Sequence, residues 1–389
     1  MKVLSFLKKI QNQISVSFDS VTKCGLLPCR MTEGILFPMY TVFILLILIT
    51  GCSKKSEIPT LKFTTSMSTN YTPVIFTSVE EKIADKYGVH PNVEFAENLE
   101  PLLAGKVDAK LNGLAPSLIT GANGSDIVIF VGTMGGGHFI FANKKVAAEL
   151  KDPKNWKGHI VGIRPQVTSQ LVLNSVLKEK YGYNSDEVVF KYFDNDMAGI
   201  TACVKGEVDI TSVYYSFRDT ALSQGLVPIG ELVDISPDYA CCRQTARGEI
   251  FRSNRDLFVK WTKSLIESWK IFNTNPQVAL NVVKKITKQD EDWAYEHIYD
   301  ADATAHITFN PDPFYNGCLA QYDICIEMKY VNENYRPLYE FFDISVYADA
   351  LKEIIKENPG DQFYKDMWTY FLSHNDKYPG FAEKYTKEL

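Results

Sequence analysis

The chain has 389 residues, with 47 acidic and 41 basic side chains and a formal net charge of −6 at pH 7. This acidic balance argues against nucleic-acid binding, because phosphate backbones are held by clustered basic residues. Hydrophobic residues make up 46% of the chain, enough to pack cores and too many for an intrinsically disordered protein.

The N-terminal region ends in an apolar run followed by a cysteine. Residues 35–51 carry no charge, and Ile49, Thr50 and Gly51 directly precede Cys52. This arrangement resembles the lipobox of bacterial lipoproteins, in which the segment before the cysteine is removed and the cysteine carries the lipid. A transmembrane anchor is the alternative reading, but the run is at the short limit for crossing a bilayer and ends in a processing site rather than a stop-transfer cluster.

We therefore expect a signal peptide at residues 1–51, a lipidated Cys52 and a polar tether at residues 52–60. The protein would be exported and lipid-anchored to the cell envelope, on its periplasmic or extracellular face. The lead before the apolar run is long, and Met31 is an alternative start that would leave no Lys or Arg ahead of that run. Without residues 1–51 the net charge becomes −9, and the remaining chain is long enough to form two lobes.

After Pro59, short apolar strands alternate with amphipathic helices, which predicts an α/β fold. From about Asp256 the chain becomes largely helical, with a core-facing stripe at three- and four-residue steps; its members are Phe258, Trp261, Leu265, Trp269 and Phe272. The earlier predicted elements are strand 61–65, loop 66–72, helix 74–87, strands 93–96, 109–112, 127–131 and 159–163, helix 169–181, and strands 188–192, 208–213 and 227–233.

A short motif occurs twice with the same surroundings. Residues 105–108 and 206–209 both read G-x-V-D, and each leads through an apolar strand to a further glycine, Gly124 or Gly225. In both places a predicted helix precedes the motif and another follows the strand. This repetition favours two lobes built from a duplicated unit.

Five cysteines remain after Cys52, an odd number for an exported chain. Cys318 and Cys325 are close enough in sequence to bridge a short loop. No C-x-x-C or H-E-x-x-H spacing is present, so we expect neither a metal nor a cofactor.

From about Leu61 to Phe272 the chain resembles the substrate-binding proteins of ABC importers for nitrate, sulfonates and taurine. That superfamily also contains proteins that bind thiamine-pyrimidine precursors and the yeast-type pyrimidine synthases. The residues that carry the resemblance are 66–73, 105–108, 113–116, 156–162 and 206–209.

The resemblance implies a type II periplasmic-binding-protein fold, with two lobes of mixed sheets flanked by helices and a hinge crossed twice. It divides the chain into lobe 1 (residues 61–140 and 241–308), lobe 2 (residues 141–240) and a helical C-terminal extension (residues 309–389). Ligands of open α/β sheets bind beyond the carboxyl ends of strands. That rule selects the loops at residues 66–72, 113–117, 165–169 and 214–215.

These loops supply most of the candidate ligand-binding residues. A tyrosine can stack on a planar group and hydrogen-bond through its hydroxyl. Thr168 and Ser169 open a helix, where free backbone N–H groups can seat an anion, although simple capping explains them equally well. The full set is Met67, Asn70, Tyr71, Gly113, Ala115, Pro116, His138, Gln166, Thr168, Ser169, Tyr214, Tyr215, Cys242 and Arg243.

Several of these residues have alternative roles. One tyrosine of the pair Tyr214 and Tyr215 is expected to point into the core. The adjacent Cys241 and Cys242 can be small buried hydrophobes, ligand-contacting thiols or, less favoured, a redox or metal site, and a disulfide between neighbours is strained. Arg243 can clamp an anion or lie on ordinary surface. The glycines at residues 135–137 suit a hinge or a close ligand approach, and His138 beside them is a cleft donor or a structural residue.

The sequence therefore predicts a lipid-anchored solute-binding protein, not an enzyme, which delivers a small-molecule ligand to the permease and ATPase subunits of an ABC importer. The loop chemistry favours a pyrimidine-like or other planar heterocycle, with sulfonate, taurine and nitrate still open. One alternative is a pyrimidine synthase-like enzyme that uses residues 241–244 and a histidine. Another is a surface lipoprotein that has the same fold without a transport role.

Overall fold

The computed structural model describes residues 58–65, 72–184, 187–237 and 239–386. None of the helices in these ranges is both long and apolar enough to cross a membrane. The strands are β1 (Thr60–Thr65), β2 (His90–Phe95), β3 (Ala109–Gly113), β4 (Ile127–Met134), β5 (His138–Ala142), β6 (Ile160–Ile163), β7 (Val189–Tyr192), β8 (Ile210–Tyr214), β9 (Val227–Glu231) and β10 (Cys242–Arg247).

The helices surround these strands and fill the C-terminal third of the chain. They are α1 (Pro73–Glu80), α2 (Ile83–Lys86), α3 (Glu100–Leu103), α4 (Leu114–Ala122), α5 (Thr168–Glu179), α6 (Asp196–Lys205), α7 (Arg218–Ser223), α8 (Leu232–Ile235), α9 (Gly248–Ser253), α10 (Arg255–Thr274), α11 (Pro276–Thr287), α12 (Glu291–Ile298), α13 (Ala301–Thr304), α14 (Tyr315–Glu327), α15 (Ser345–Glu357), α16 (Gln362–His374) and α17 (Phe381–Tyr385).

The strands form two five-stranded sheets with the same plan. Sheet 1 has the order β2-β1-β3-β10-β4 and sheet 2 the order β7-β6-β8-β5-β9. In each sheet the first three strands are parallel, and one antiparallel strand is inserted beside them. In each sheet the inserted strand is the first one after the chain has crossed from the other sheet. β5 of sheet 2 follows β4 of sheet 1, and β10 of sheet 1 follows β9 of sheet 2. The predicted two-lobe α/β fold with mixed sheets is therefore confirmed.

The G-x-V-D motif has a structural reason that is the same in both lobes. Asp108 Oδ2 accepts from Lys62 N at 2.9 Å, and Asp209 Oδ2 accepts from Ile160 N at 3.0 Å. Each aspartate thereby ties the start of its own strand to the first strand of its lobe. The glycine that opens each copy ends the preceding helix with a φ of 71° or 74°, a conformation that favours glycine.

The first hinge crossing lies slightly earlier than predicted. β5 pairs with β8 from His138, opposite Tyr214, to Ala142, opposite Ile210. The predicted lobe boundary between residues 140 and 141 would cut this ladder, so it is corrected to residues 135–137. The ladder belongs wholly to sheet 2, because all its residues pair with strands of that sheet.

The glycines at the crossing accommodate the segment at residues 305–312. Gly135 N donates to Thr308 O at 2.8 Å, and Thr308 N donates back at 2.9 Å. A Cβ on Gly136, whose φ is 71°, would lie 2.8 Å from His306 O. The glycine run is thus explained by close packing of the chain's own backbone.

The C-terminal helices are present as predicted, but they pack into the body of the molecule. α15 lies along α10, while α14 contacts both α4 of lobe 1 and α5 of lobe 2. Gln321 Nε2 donates to Ala240 O at 3.1 Å at the second crossing, and Gln170 Nε2 of α5 donates to Tyr330 OH at 3.2 Å. The C-terminal extension therefore contacts both lobes.

One local prediction is wrong, and one possibility that the sequence left open is not realised. The predicted helix 74–87 is split into α1 and α2, because Lys82 has a left-handed φ of 54°. Cys318 and Cys325 both lie on α14 and are free thiols. Seven residues of helix separate their Cα atoms by about 10 Å along the axis, which is beyond the reach of a disulfide.

Candidate ligand-binding cleft

A cavity of about 490 Å³ lies between the two lobes, within the range of small-molecule sites. Lobe 1 contributes the end of β3 and the start of α4. Lobe 2 contributes the loop from β6 into α5 and the end of β8. The carboxyl ends of parallel strands thus converge on it, as expected for open α/β sheets.

The structure brings most of the described candidate residues together at this cavity. Met67, Asn70, Tyr71 and Cys52 lie outside the described residues. Ala115 and Tyr215 do not line the cavity; Tyr215 is 1% exposed and packs into the core beside Tyr214. Those that line it are Gly113, Pro116, His138, Gln166, Thr168, Ser169, Tyr214 and Cys242.

The N-termini of α4 and α5 meet across the cleft. Ala115 N donates to Thr168 Oγ1 at 3.1 Å, and Thr168 Oγ1 donates to Cys241 O at 3.4 Å. Just before α5, Gln166 has a φ of 54°, and its N–H donates to Gln170 Oε1 at 3.1 Å. The hydroxyl of Thr168 therefore links the two lobes, a role that neither the anion-seat nor the N-cap interpretation included.

Aromatic rings form one wall of the cleft. The His138 ring lies 5.0 Å from Tyr214 and 5.5 Å from Tyr239, both edge-on. The Tyr239 hydroxyl is 2.9 Å from His138 Nδ1, and the Tyr214 hydroxyl donates to the Met134 sulfur. Burial raises the pKa of both tyrosines, so they remain neutral. This wall suits the face or edge of a planar ligand.

The two adjacent cysteines lie beside this wall as free thiols. Cys241 and Cys242 both line the cavity, and their Sγ atoms are 3.2 Å apart. The hydrogen bond from the Cys242 thiol, together with His138, lowers the pKa of Cys241, whereas the same bond and burial raise the pKa of Cys242. Both cysteines are buried and both line the cavity. Their position therefore fits two of the interpretations given above, small buried residues and ligand-contacting thiols.

The charged residues of the cleft are mostly acidic. Glu97, Glu100 and Asp196 line it together with Arg164, whose guanidinium is 3.6 Å from Asp196. Burial raises the pKa of Asp196 and outweighs the opposing effect of Arg164. In β3 of lobe 1, Lys110 donates to the carbonyl of Ala96, and burial lowers its pKa to about 8. Sequence reasoning missed these residues.

Arg243 does not face the cleft, so the predicted anion clamp is corrected. It is 3% exposed. Its Nε donates to Pro313 O at 2.8 Å, and its Nη1 donates to Met134 O at 3.0 Å and Cys242 O at 2.7 Å. The guanidinium therefore joins the ends of β4 and β10 to the C-terminal segment.

Arg243 lines a second, smaller cavity of about 160 Å³ behind the hinge, together with Asp312. Asp312 Oδ1 accepts from Phe314 N at 2.7 Å and from Asn375 Nδ2 at 3.0 Å. Oδ2 has no hydrogen-bond partner in the described part of the chain. Burial raises the pKa of Asp312 to about 6.

Across the described ranges, no group of three His, Cys, Asp or Glu side chains is placed to hold a metal ion. The prediction of no metal or cofactor concerns the whole chain and stays a prediction.

Comparison with protein-family models gives no match, and comparison with curated proteins gives none either. Solved structures, by contrast, match well. The ligand-binding component of an ABC-type import system from Staphylococcus aureus, with zinc bound, has a TM-score of 0.61 and 16% identity over 75% of this chain and 99% of that one. The periplasmic aliphatic sulphonate-binding protein of Escherichia coli has a TM-score of 0.57 and 17% identity, over 71% of this chain and 89% of its own.

An enzyme has a similar fold. A mutant of the desulfurization enzyme DszB, in complex with biphenyl-2-sulfinic acid, has a TM-score of 0.56 and 11% identity over 76% of this chain and 99% of that one. Binding proteins and at least one enzyme therefore share this architecture. The comparisons show that this chain has the two-lobe fold of the substrate-binding proteins of ABC importers.

Proposed function

We propose that this protein is a lipid-anchored solute-binding protein that delivers a small molecule to the permease and ATPase of an ABC importer. The observation that carries the proposal is the cleft of about 490 Å³ between two lobes whose five-stranded sheets have the same arrangement of strands. Proteins of similar fold include the ligand-binding component of an ABC-type import system and a periplasmic sulphonate-binding protein. Closure of the lobes on a solute would create the form that a permease recognises.

A planar heterocycle, pyrimidine-like in size, is the ligand that the wall chemistry favours. His138, Tyr214 and Tyr239 offer ring faces and edges, and polar groups from both lobes surround them. A thiol-dependent enzyme is the second candidate function, favoured by the Cys241 thiol beside His138. Conversion of the bound molecule on incubation would support that candidate over transport.

Filling the cleft should abolish binding without unfolding the protein. Gly113 has a φ of −53°, and a Cβ there would meet its nearest neighbour, Thr168 Oγ1, at 3.8 Å. The Gly113→Leu variant should therefore fold and occupy the space of the ligand. A molecule retained by the parent in native mass spectrometry should be absent from this variant. Ligand at a hundredfold over its Kd should stabilise the parent by about 2.7 kcal/mol and the variant not at all.

Gly360→Leu is the matched control, because a Cβ at Gly360 has no heavy atom within 4 Å. This variant should bind like the parent. If Gly113→Leu retains the same bound molecule, the cleft is not the binding site. If the parent neither retains a molecule nor responds to any heterocycle, sulfonate or nitrate, the surface-lipoprotein alternative replaces transport.

The lipid anchor is tested separately from the cleft. Cys52→Ser should abolish incorporation of an alkyne-labelled palmitate, because the cysteine sulfur is the acceptor of the diacylglyceryl group. The control is Cys29→Ser, which alters a cysteine of the predicted signal peptide and should leave labelling intact. Continued labelling of Cys52→Ser would contradict the lipoprotein assignment and leave the cleft proposal unaffected.

A further inference from the structure

Two buried polar atoms of cleft-lining residues lack a hydrogen-bond partner among the described residues. Asn112 at the end of β3 is 6% exposed, and Ser212 in β8 is 3% exposed. Both residues line the cavity between the lobes. Asn112 Oδ1 and Ser212 Oγ have no hydrogen-bond partner among the residues that the structure describes. Buried polar groups are nearly always hydrogen-bonded, so these two atoms indicate what a ligand must supply.

The amide of Asn112 can take only one orientation. Its Nδ2 donates to Gly113 O at 2.7 Å and to Ser117 Oγ at 2.9 Å. A carbonyl oxygen cannot donate, so a flipped amide would place Oδ1 against Gly113 O. Ser117 Oγ also lies 2.7 Å from Thr245 Oγ1, which holds that serine in place. Asn112 Oδ1 is therefore fixed as an acceptor, and only a donor can satisfy it.

Ser212 is less restrictive but lies on the opposite lobe. Its hydroxyl can donate or accept, so it can pair with almost any polar ligand group. Because Ser212 belongs to sheet 2 and Asn112 to sheet 1, a ligand that satisfies both connects the two lobes. That is the condition for a ligand to favour closure.

We propose that the ligand carries an N–H donor, such as an amino or ring N–H group of a small heterocycle, and donates it to Asn112 Oδ1. This inference rests on the proposed function and deepens it by naming the ligand class. Nitrate and simple alkanesulfonates have only acceptor oxygens and leave Asn112 Oδ1 unpaired. The lining carboxylates of Glu97, Glu100 and Asp196 favour a neutral or cationic donor as well. Taurine remains compatible, because it carries an ammonium group.

The first test compares ligands of equal shape. Calorimetric titration uses 4-aminopyrimidine, 1-methylcytosine and 9-methyladenine, each beside the analogue in which methyl replaces the exocyclic amine and no ring N–H remains, and also ethanesulfonate and nitrate. At least one amine should bind about 100-fold more tightly than its methyl analogue, because the analogue leaves the acceptor buried and unpaired. Tight binding of ethanesulfonate or nitrate, with no amine bound, would overturn the donor assignment and leave the solute-binding function standing.

The second test separates a binding role from a structural one. Ser212→Ala removes a hydroxyl that makes no hydrogen bond to any residue the structure describes, so the ligand-free variant should be at least as stable as the parent. Its affinity for the bound amine should fall about tenfold. The control is Thr262→Val on α10, away from the cleft, which removes another buried hydroxyl with no partner among the described residues. It should change stability in the same direction and leave affinity unchanged.

Asn112→Leu should remove the preference for the amine over its methyl analogue. A variant that keeps the full preference would contradict the assignment of Asn112. Absence of any bound molecule, in the parent and with every probe, would instead refute the proposed function together with the inference that rests on it.

Discussion

Replacing Arg243 with methionine should lower the free energy of unfolding by about 3 kcal/mol or more. The guanidinium is buried and donates to three backbone carbonyls, those of Pro313, Met134 and Cys242. Methionine fills similar space but leaves all three acceptors without this donor. Urea unfolding followed by tryptophan fluorescence measures the loss.

The same variant distinguishes the observed role from the predicted anion clamp. Arg243→Met leaves every residue that lines the cleft unchanged. The free energy of ligand binding to the folded protein should therefore change less than the free energy of unfolding. Arg243→Lys should be intermediate, because one ammonium group cannot reproduce the fork of a guanidinium. Unchanged stability combined with lost binding would contradict the structural role and restore direct ligand contact.

Asp312→Asn should stabilise the protein at neutral pH and leave it little changed near pH 4. The folded pKa of Asp312 is about 6, above the ordinary value near 3.8 in the unfolded chain. The carboxyl group therefore stabilises the fold only while it is protonated. Its contribution is complete below about pH 4 and is lost as the pH rises to 6. The loss amounts to about 3 kcal/mol, and asparagine avoids it because it does not ionise.

Urea midpoints of the parent and of Asp312→Asn between pH 4 and pH 7.5 measure this effect as a difference that grows with pH. The asparagine can keep the bonds from Phe314 N and Asn375 Nδ2 through its own Oδ1. Asp366→Asn, at an exposed position, serves as the control for the chemical change itself. A difference independent of pH would mean that Asp312 does not titrate in this range.

The lobes could be predicted because their signals are local. Apolar runs bounded by glycines mark the strands, and the repeated G-x-V-D motif reflects one contact made twice, by Asp108 and by Asp209. The break between α1 and α2 could not be predicted, because a left-handed Lys82 leaves no compositional trace. The lobe boundary was misplaced since the register of β5 depends on its partner β8.

The candidate site was predicted where the carboxyl ends of strands could be identified, which gave Gly113, Thr168 and Tyr214. The same rule could have found Asp196, which closely follows β7. Tyr239 and Arg243 could not be assigned in this way. Their roles depend on distant partners, such as His138 and Pro313, that no sequence spacing brings together.

Helix α14 contacts α4 in one lobe and α5 in the other, and none of its own residues lines the cleft. Any rotation that widens the entrance must slide this helix along one of its two neighbours. If the lobes open and close on a solute as proposed, the activation barrier for its entry and exit includes the cost of moving α14, a helix that the solute does not contact. Substitutions on α14 can consequently change association and dissociation rates in parallel while the equilibrium preference among solutes stays as it was.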